Sequence, residues 1–376
     1  MSFTVSSGLL QKHLKALAGV VSSTPLVPIL ENFRLEIGRG ILRTTASDMQ
    51  TTIVAELAVE TQKEAVAAIP AKLLMDTLAN TPEQPITITV DEETYGATIT
   101  TETGRFRIAG ENPVDFPKLP KVADASSLEL PSAVLLRAIS TTLFAASTDD
   151  NRPAMGGVFF KMEEEKATFV ATDGHRLVRY TRTDMANTEE NSFILPRKGL
   201  QFLRGTLPND QTPIALTFNN SNACFAFGTT QVFCRLVDER YPDFQGVIPL
   251  QNPNQLAIER LELLGALKRL MPFASRNTSQ VRFKLTEKQV TLSAEDVDYS
   301  NEATERLSCD YTGDPMEIGF NARMMSELLT NMDSNLVTLN MSAPNRAGIL
   351  LPRQQEPNED MLMLVMPIML SSYVPA

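Results

Sequence analysis

Three short stretches decide the fold: AIPAKLLMDTL (68–78), ILPRKGLQFL (194–203) and IGFNARMMSELL (318–329). Each reads as a brief apolar strand, a polar break and an amphipathic helix. A cation sits at or just after the first helical turn in all three: Lys72, Arg197 with Lys198, and Arg323. The breaks fall at Pro70, Pro196 and Asn321, which are 126 and 125 positions apart. Self-similarity at a fixed period is the mark of tandem modules. Two further markers keep the spacing. RTTASDMQT (43–51), TFVATDGHR (168–176) and VTLSAEDVD (290–298) are β-rich runs closing on an acidic turn, with Asp48, Asp173 and Asp296 separated by 125 and 123 positions. SSGLLQKHLKALAGVV (6–21), PSAVLLRAISTTLFAA (131–146) and ERLELLGALKRLMPFA (259–274) repeat apolar residues at i, i+3, i+4 and i+7, the stripe of a helix with one buried face.

Three such modules use almost all of the 376 residues. The fold expected is α+β: three tandem similar domains, each with two helices on one side of an antiparallel sheet layer and each large enough to bury its own core. Boundaries are expected in the polar, proline-bearing stretches DFPKLPKVADAS (115–126) and VIPLQNPNQ (247–255). The domains are then 1–120, 126–247 and 250–376, the last closing on a strand and a short tail, SSYVPA.

Composition narrows the function. MSFTVSSGLL lacks the basic start and apolar core of a secretion signal. The longest apolar run, MLMLVMPIML (361–370), is too short to cross a bilayer and contains Pro367. Cys224, Cys234 and Cys309 have no metal-ligand spacing, which fits a reducing compartment and gives no zinc site. A cytoplasmic protein with no membrane partner is expected. The net charge of −11 argues against a simple basic nucleic-acid binder. The charge is segregated, however: the six predicted helices sum to +7, leaving −18 elsewhere. Basic helices gathered on one surface can face phosphate while the rest stays acidic.

VATDGHRLVRY (170–180) holds one of only two histidines, between an aspartate and an arginine. One reading is a DGHR-centred hydrolase or phosphoesterase, although no Ser, Cys or second His stands at a spacing that completes a catalytic set. The other is a glycine turn beside an amphipathic ring. A β-rich scaffold with no DNA role is a third possibility, and it leaves the basic helices unexplained.

VATDGHRL, LPRKGLQFL, LVDERYPDF, YTGDPMEIGFNA and the terminal LVMPIML, in that order and spacing, closely resemble the β-subunit family of bacterial DNA polymerase III, the sliding clamps. PLVPILENFRLEI (25–37) and FRIAGENPVDFPKL (106–119) extend the likeness over essentially the whole chain. The resemblance implies a head-to-tail homodimer, a six-domain ring whose helices line a hole. Double-stranded DNA would be encircled without sequence preference. Such a protein is a processivity factor, not an enzyme, and needs neither cofactor nor metal. The cations placed toward the hole are Lys12, Lys15, Arg137, Lys198, Arg204, Lys268 and Arg269. The loop GVVSSTPLVP (19–28) has no basic residue where some relatives have one, and Asp149 is an acidic oddity near the DNA path.

The resemblance also turns the DGHRL segment into one wall of a hydrophobic pocket. That pocket receives short linear motifs from the polymerase III catalytic subunit, the clamp loader, other polymerases and repair proteins. Carried over by position, it comprises Arg152, Met155, Thr172, Gly174, His175, Arg176, Leu177, Pro242, Val247, Leu364, Met366, Pro367, Ile368, Met369 and Leu370. Methionine-rich walls adapt to many clients. Met369 stands where the family carries a cation, and the tail is expected to lie beside or partly across the pocket. Ring closure is expected through GRFRI (104–108), a period-2 edge strand offering Arg105, Phe106, Arg107 and Ile108. Its counterpart would be Leu270, Phe273, Glu302 and Glu305 of the partner.

Overall fold

The computed structural model describes residues 2–22, 24–61, 64–123, 125–185 and 190–370. The expected tail, SSYVPA, lies outside the described residues. Six α-helices appear among the described residues: α1 (Ser7–Ala18), α2 (Ala71–Ala79), α3 (Ser132–Thr142), α4 (Arg197–Thr206), α5 (Arg260–Leu270) and α6 (Ala322–Thr330). Each module therefore contributes two. The helix starts follow local chemistry. Ser6 Oγ accepts from Leu9 N at 3.2 Å ahead of α1, and Asn321 Oδ1 accepts from Met324 N at 3.0 Å ahead of α6. Pro70 precedes α2, and Pro196 precedes α4. On α1 the stripe Leu10, Leu14 and Leu17 is buried, and on α6 Met325, Leu328 and Leu329 are. A fully buried aliphatic side chain of this kind stabilises by roughly 1.5–3 kcal/mol. Among the described residues no helix is long and apolar enough to cross a membrane.

Among the described residues the strands form four sheets that are antiparallel throughout. The first, five-stranded, runs Glu60–Thr61, Ser2–Ser6, Pro85–Val90, Ala97–Thr100 and Arg105–Ile108. An eight-stranded sheet runs Ser126–Pro131, Pro213–Phe218, Asn222–Phe227, Thr230–Arg235, Thr51–Ala58, Ile41–Ser47, Asn32–Gly38 and Ala65–Pro70. A nine-stranded sheet runs Asn191–Pro196, Gly157–Met162, Ala167–Thr172, Arg176–Arg182, Glu359–Val365, Gly348–Pro352, Leu336–Met341, Asn254–Glu259 and Asp310–Thr312. The last has five strands: Asn301–Ser308, Gln289–Asp296, Gln280–Thr286, Met316–Asn321 and Pro367–Ile368.

The two larger sheets each draw strands from two modules. Val232 pairs with Ile53 across the first boundary, and Tyr180 with Met361 across the second. The physical reason is the cost of an open edge: a strand that would expose unpaired N–H and C=O groups finds its partner in the next module. The compact units accordingly differ from the repeats. One comprises residues 1–136 and 198–236, the other 137–197 and 237–376, so the middle module is shared between them.

The acidic turns have a common construction in the first two modules. Asp48 Oδ1 accepts from Gln50 N at 3.0 Å and Thr51 N at 2.6 Å, and Asp173 Oδ1 accepts from His175 N and Arg176 N, both at 2.9 Å. The residue after each aspartate has positive φ, +75° at Met49 and +90° at Gly174. Glycine takes that conformation freely, whereas methionine is strained there.

His13 lies on α1 with its Nε2 3.0 Å from Thr44 Oγ1, and burial lowers its pKa from 6.5 to about 4. The folded chain thus resists a proton that the unfolded chain accepts near pH 6.5. The contribution to stability is full above pH 6.5, declines as pH falls toward 4, and is on the order of 2–3 kcal/mol. His13→Gln should flatten the difference between urea midpoints measured at pH 7 and pH 4.5. An unchanged difference would show that His13 is not the titrating group.

Candidate functional site

The second compact unit holds every residue expected at the pocket. Its floor is a buried cluster: Val170, Leu177, Ile194, Tyr241, Phe244, Ala347, Ile349, Leu362 and Leu364. Leu177 and Leu364 are paired across the strand junction, so the wall from the middle module and the wall from the last share a ladder. The segment Tyr241–Ile248 packs on this floor. Tyr241 stacks on Phe159 with ring centroids 4.8 Å apart and donates its hydroxyl to Val170 O at 3.2 Å. Around the floor, Met366 and Met369 are 42% and 52% exposed and Val247 is 55% exposed, with Pro242 also exposed. Such a group of exposed apolar side chains above a buried apolar floor marks an interaction surface.

The chain leaves one sheet for another at this point. Glu359–Val365 belongs to the nine-stranded sheet, whereas Pro367–Ile368 pairs with Met316–Asn321 of the last sheet. Met366 at the crossing donates its N–H to His175 O at 2.8 Å, tying the DGHRL turn to the terminal strand. Gly319 makes room for that strand: a Cβ there would lie 2.6 Å from Ile368 O and 2.9 Å from Leu370 Cδ2. Leu370 is buried and also lines a cavity of about 370 Å3 with Met316, Ala343, Pro344 and Asn254.

Within the DGHR turn, no arrangement for hydrolysis is formed. Asp173 receives the amides of His175 and Arg176 on one oxygen and Arg176 Nε at 3.0 Å on the other, so the carboxylate caps the turn and engages the guanidinium. The His175 ring is exposed. Arg176 has its side chain only 11% exposed. It also bonds Glu327 on α6 and Phe144 O, the latter at 3.0 Å. Arg152 bridges Asp149 Oδ2 at 2.8 Å and Asp173 O at 3.1 Å, which accounts for the acidic oddity at 149. Hydrogen bonds from the Asn151 amide and from Arg152 hold the Asp149 carboxyl below its ordinary pKa. Thr172 Oγ1 donates to Arg176 O at 2.6 Å and accepts from Gly174 N at 3.1 Å. Burial pushes the Cys224 and Cys309 thiols up to about 11 and that of Cys234 to about 12, so none is a ready thiolate. Among the described residues no group of His, Cys, Asp or Glu is placed to hold a metal.

The cations expected to face DNA divide into two sets. Lys12, Lys15, Arg204 and Lys268 are exposed and make no ion pair among the described residues. The other three are engaged: Lys198 pairs with Asp48, Arg137 lies 3.5 Å from Asp333 and 3.6 Å from Glu359, and Arg269 holds Glu305 through two bonds of 2.9 and 2.8 Å. That last pair corrects the place given to Glu305, whose carboxylate is already used within its own module. Leu270 needs correcting too. At 1% exposure it is core, because its place on the α5 stripe points inward, whereas Phe273 is 40% exposed. Ile108 is likewise buried at 2%, and Phe106 is 45% exposed on the outer strand of its sheet. Glu302 is exposed, and Arg105 and Arg107 share the opposite strand face from Phe106 and Ile108.

Sequence reading missed the floor residues Tyr241, Phe244, Ala347 and Ile349 and the anchor Glu327. The motif around Tyr241 was legible, but which face it would cover was not.

Profiles of the DNA polymerase III beta subunit match in series: the N-terminal domain at residues 1–120, the central domain at 129–243 and the C-terminal domain at 245–369. The chain is 30% identical to the beta sliding clamp of Escherichia coli (strain K12) over 331 residues, covering 88% of this chain and 90% of that one. It is 28% identical to the beta sliding clamp of a Synechocystis species, covering 96% and 97%. The crystal structure of a sliding clamp from Bartonella birtlesii bound to griselimycin superposes with a TM-score of 0.92 at 26% identity, covering 98% of this chain and 100% of that one. The beta subunit from Pseudomonas aeruginosa gives 0.93 at 25% identity, with the same coverage.

The space at Gly319 can be tested directly. Gly319→Ala should displace the strand at 367–368, accelerating amide hydrogen exchange over residues 366–370 while leaving residues 105–108 unchanged. Equal protection in both proteins would mean that the strand does not depend on this close approach.

Proposed function

The chain belongs to the DNA polymerase III beta subunit family, the beta sliding clamps, and on that basis we propose that it encircles duplex DNA as a non-catalytic processivity factor. Two copies join head to tail into a ring of six domains, with domain limits near 1–120, 126–247 and 250–376. The observation that carries ring closure is the way the modules already join inside the chain, by antiparallel strand pairing. Two outer strands offer the same kind of junction to a second copy. Arg105–Ile108 carries Arg105, Arg107 and exposed Phe106, and Asn301–Ser308 carries Glu302 with exposed Phe273 nearby on the chain that leads to its sheet.

DNA is held by enclosure. Lys12, Lys15, Arg204 and Lys268 meet phosphates weakly and without sequence preference, and the acidic remainder of the surface is no obstacle to a ligand that passes through a hole. Lys198, Arg137 and Arg269 act mainly as struts. The groove floored by Leu177, Tyr241 and Leu364 docks short motifs of the polymerase catalytic subunit, the clamp loader and other polymerases and repair proteins. No cofactor is required, and the protein works in the cytoplasm, where its DNA is.

The deciding experiment is topological. Protein loaded by a clamp loader onto nicked circular DNA should stay bound until the circle is cut, then slide from the ends. Retention on the linear product would mean surface binding and would refute enclosure. Separately, Phe106→Asp should shift the sedimentation coefficient from dimer to monomer, and persistence of the dimer would place the interface elsewhere. Lys12→Ala with Lys15→Ala, Arg204→Ala and Lys268→Ala should shorten residence on circular DNA and reduce its salt dependence, with the dimer intact.

A further inference from the structure

The groove contains two guanidinium groups by sequence position, and both are already paired with carboxylates of the protein itself. Arg152 is bonded to Asp149 and to the Asp173 carbonyl. Arg176 is bonded to Asp173, Glu327 and the Phe144 carbonyl. Arg176 cannot meet a charge on an incoming segment without breaking bonds that shape the turn, and Arg152 is held by its Nε and Nη1 bonds with its charge offset by Asp149. A third arginine differs. Arg346 lies in the turn between Leu336–Met341 and Gly348–Pro352, where its amide donates to Ala343 O at 3.0 Å. It is exposed, and its guanidinium has no ion pair or hydrogen bond among the described residues.

Its place in the chain puts it at the groove. The next residue, Ala347, belongs to the buried floor with Leu177, Tyr241 and Leu364. Gly348, one further on, pairs with Val365, immediately before exposed Met366. Arg240 also adjoins a floor residue, Tyr241, but it follows directly on Asp238 and Glu239, whose charges offset its own. The surroundings are otherwise acidic or neutral, with Asp149, Asp173, Asp243 and Glu327 on the bordering elements and methionines at the rim. We propose that Arg346 is the specificity-determining cation of the groove: it pairs with an aspartate or glutamate side chain of a docked peptide whose apolar residues sit on the apolar floor inside the methionine rim. This rests on the groove being the docking surface proposed above.

An exposed ion pair of this kind changes affinity by about 2- to 5-fold at low salt. The test uses the full-length protein and two fluorescein-labelled hexapeptides, amidated at the C-terminus so that no terminal carboxylate competes. Both carry Leu and Phe anchors, one with a neighbouring Asp and the other with Asn. Fluorescence anisotropy at 50 mM salt should show the Asp peptide binding about 2- to 5-fold more tightly, with the preference fading at 500 mM salt. Arg346→Gln should abolish the preference while leaving the Asn peptide's affinity unchanged, and Arg346→Glu should reverse it. An unaltered Asp-over-Asn ratio in Arg346→Gln, or an equal loss for both peptides, would overturn the proposal. If neither peptide binds the unaltered protein, the groove reading itself fails, and this inference fails with it.

Discussion

Antiparallel pairing between Arg176–Arg182 and Glu359–Val365 is the constraint on which the rest of the second compact unit depends. It joins strands from the middle and last modules into one sheet. It also sets Leu177 beside Leu364 and carries the DGHRL turn to the place where the terminal strand changes sheets. Backbone ladders suit this task because they specify register as well as contact. A one-residue slip of either strand would turn Leu177 or Leu364 away from the floor and undo their pairing.

Charged groups then refine what the ladder establishes. Arg176 bridges a turn in the middle module to Glu327 in the last, and an Arg182–Glu359 bond of 2.7 Å repeats the device at the other end of the same pair of strands. Tyr180 donates its hydroxyl to that Glu359 at 2.6 Å, and burial raises its own pKa. Buried ionic groups of this sort add little net stability compared with apolar packing, but removing one partner leaves the other charge uncompensated. Their value here is positional.

Much of the architecture was legible in the sequence because each module repeats the same local chemistry. The proline or asparagine break, the acidic turn and the helical stripe all depend on residues within a few positions of one another, and the six helices fall where those signals place them. Pairing of strands across modules was not legible, since period-2 alternation says which face is buried but not which strand lies alongside. The same limit explains Leu270 and Glu305. Their residue types suit an interface, yet the helical phase of Leu270 points it inward, and Arg269, thirty-six positions away, takes up Glu305. For Lys198 the deciding neighbour is Asp48, in another module altogether. In the groove, Tyr241 and Phe244 reach the floor from the loop that follows the middle module, and Ala347 reaches it from a hairpin of the last, so no local motif joins them.

The groove draws on residues far apart along the chain: Leu177 and Leu364 touch across 187 positions. Closing so large a loop is an entropic cost that only a completed pair of modules offsets. A nascent or half-folded chain therefore lacks the groove proposed to dock its partners. Any client that recognises this surface is, by the same act, inspecting the workmanship of the fold before committing to it.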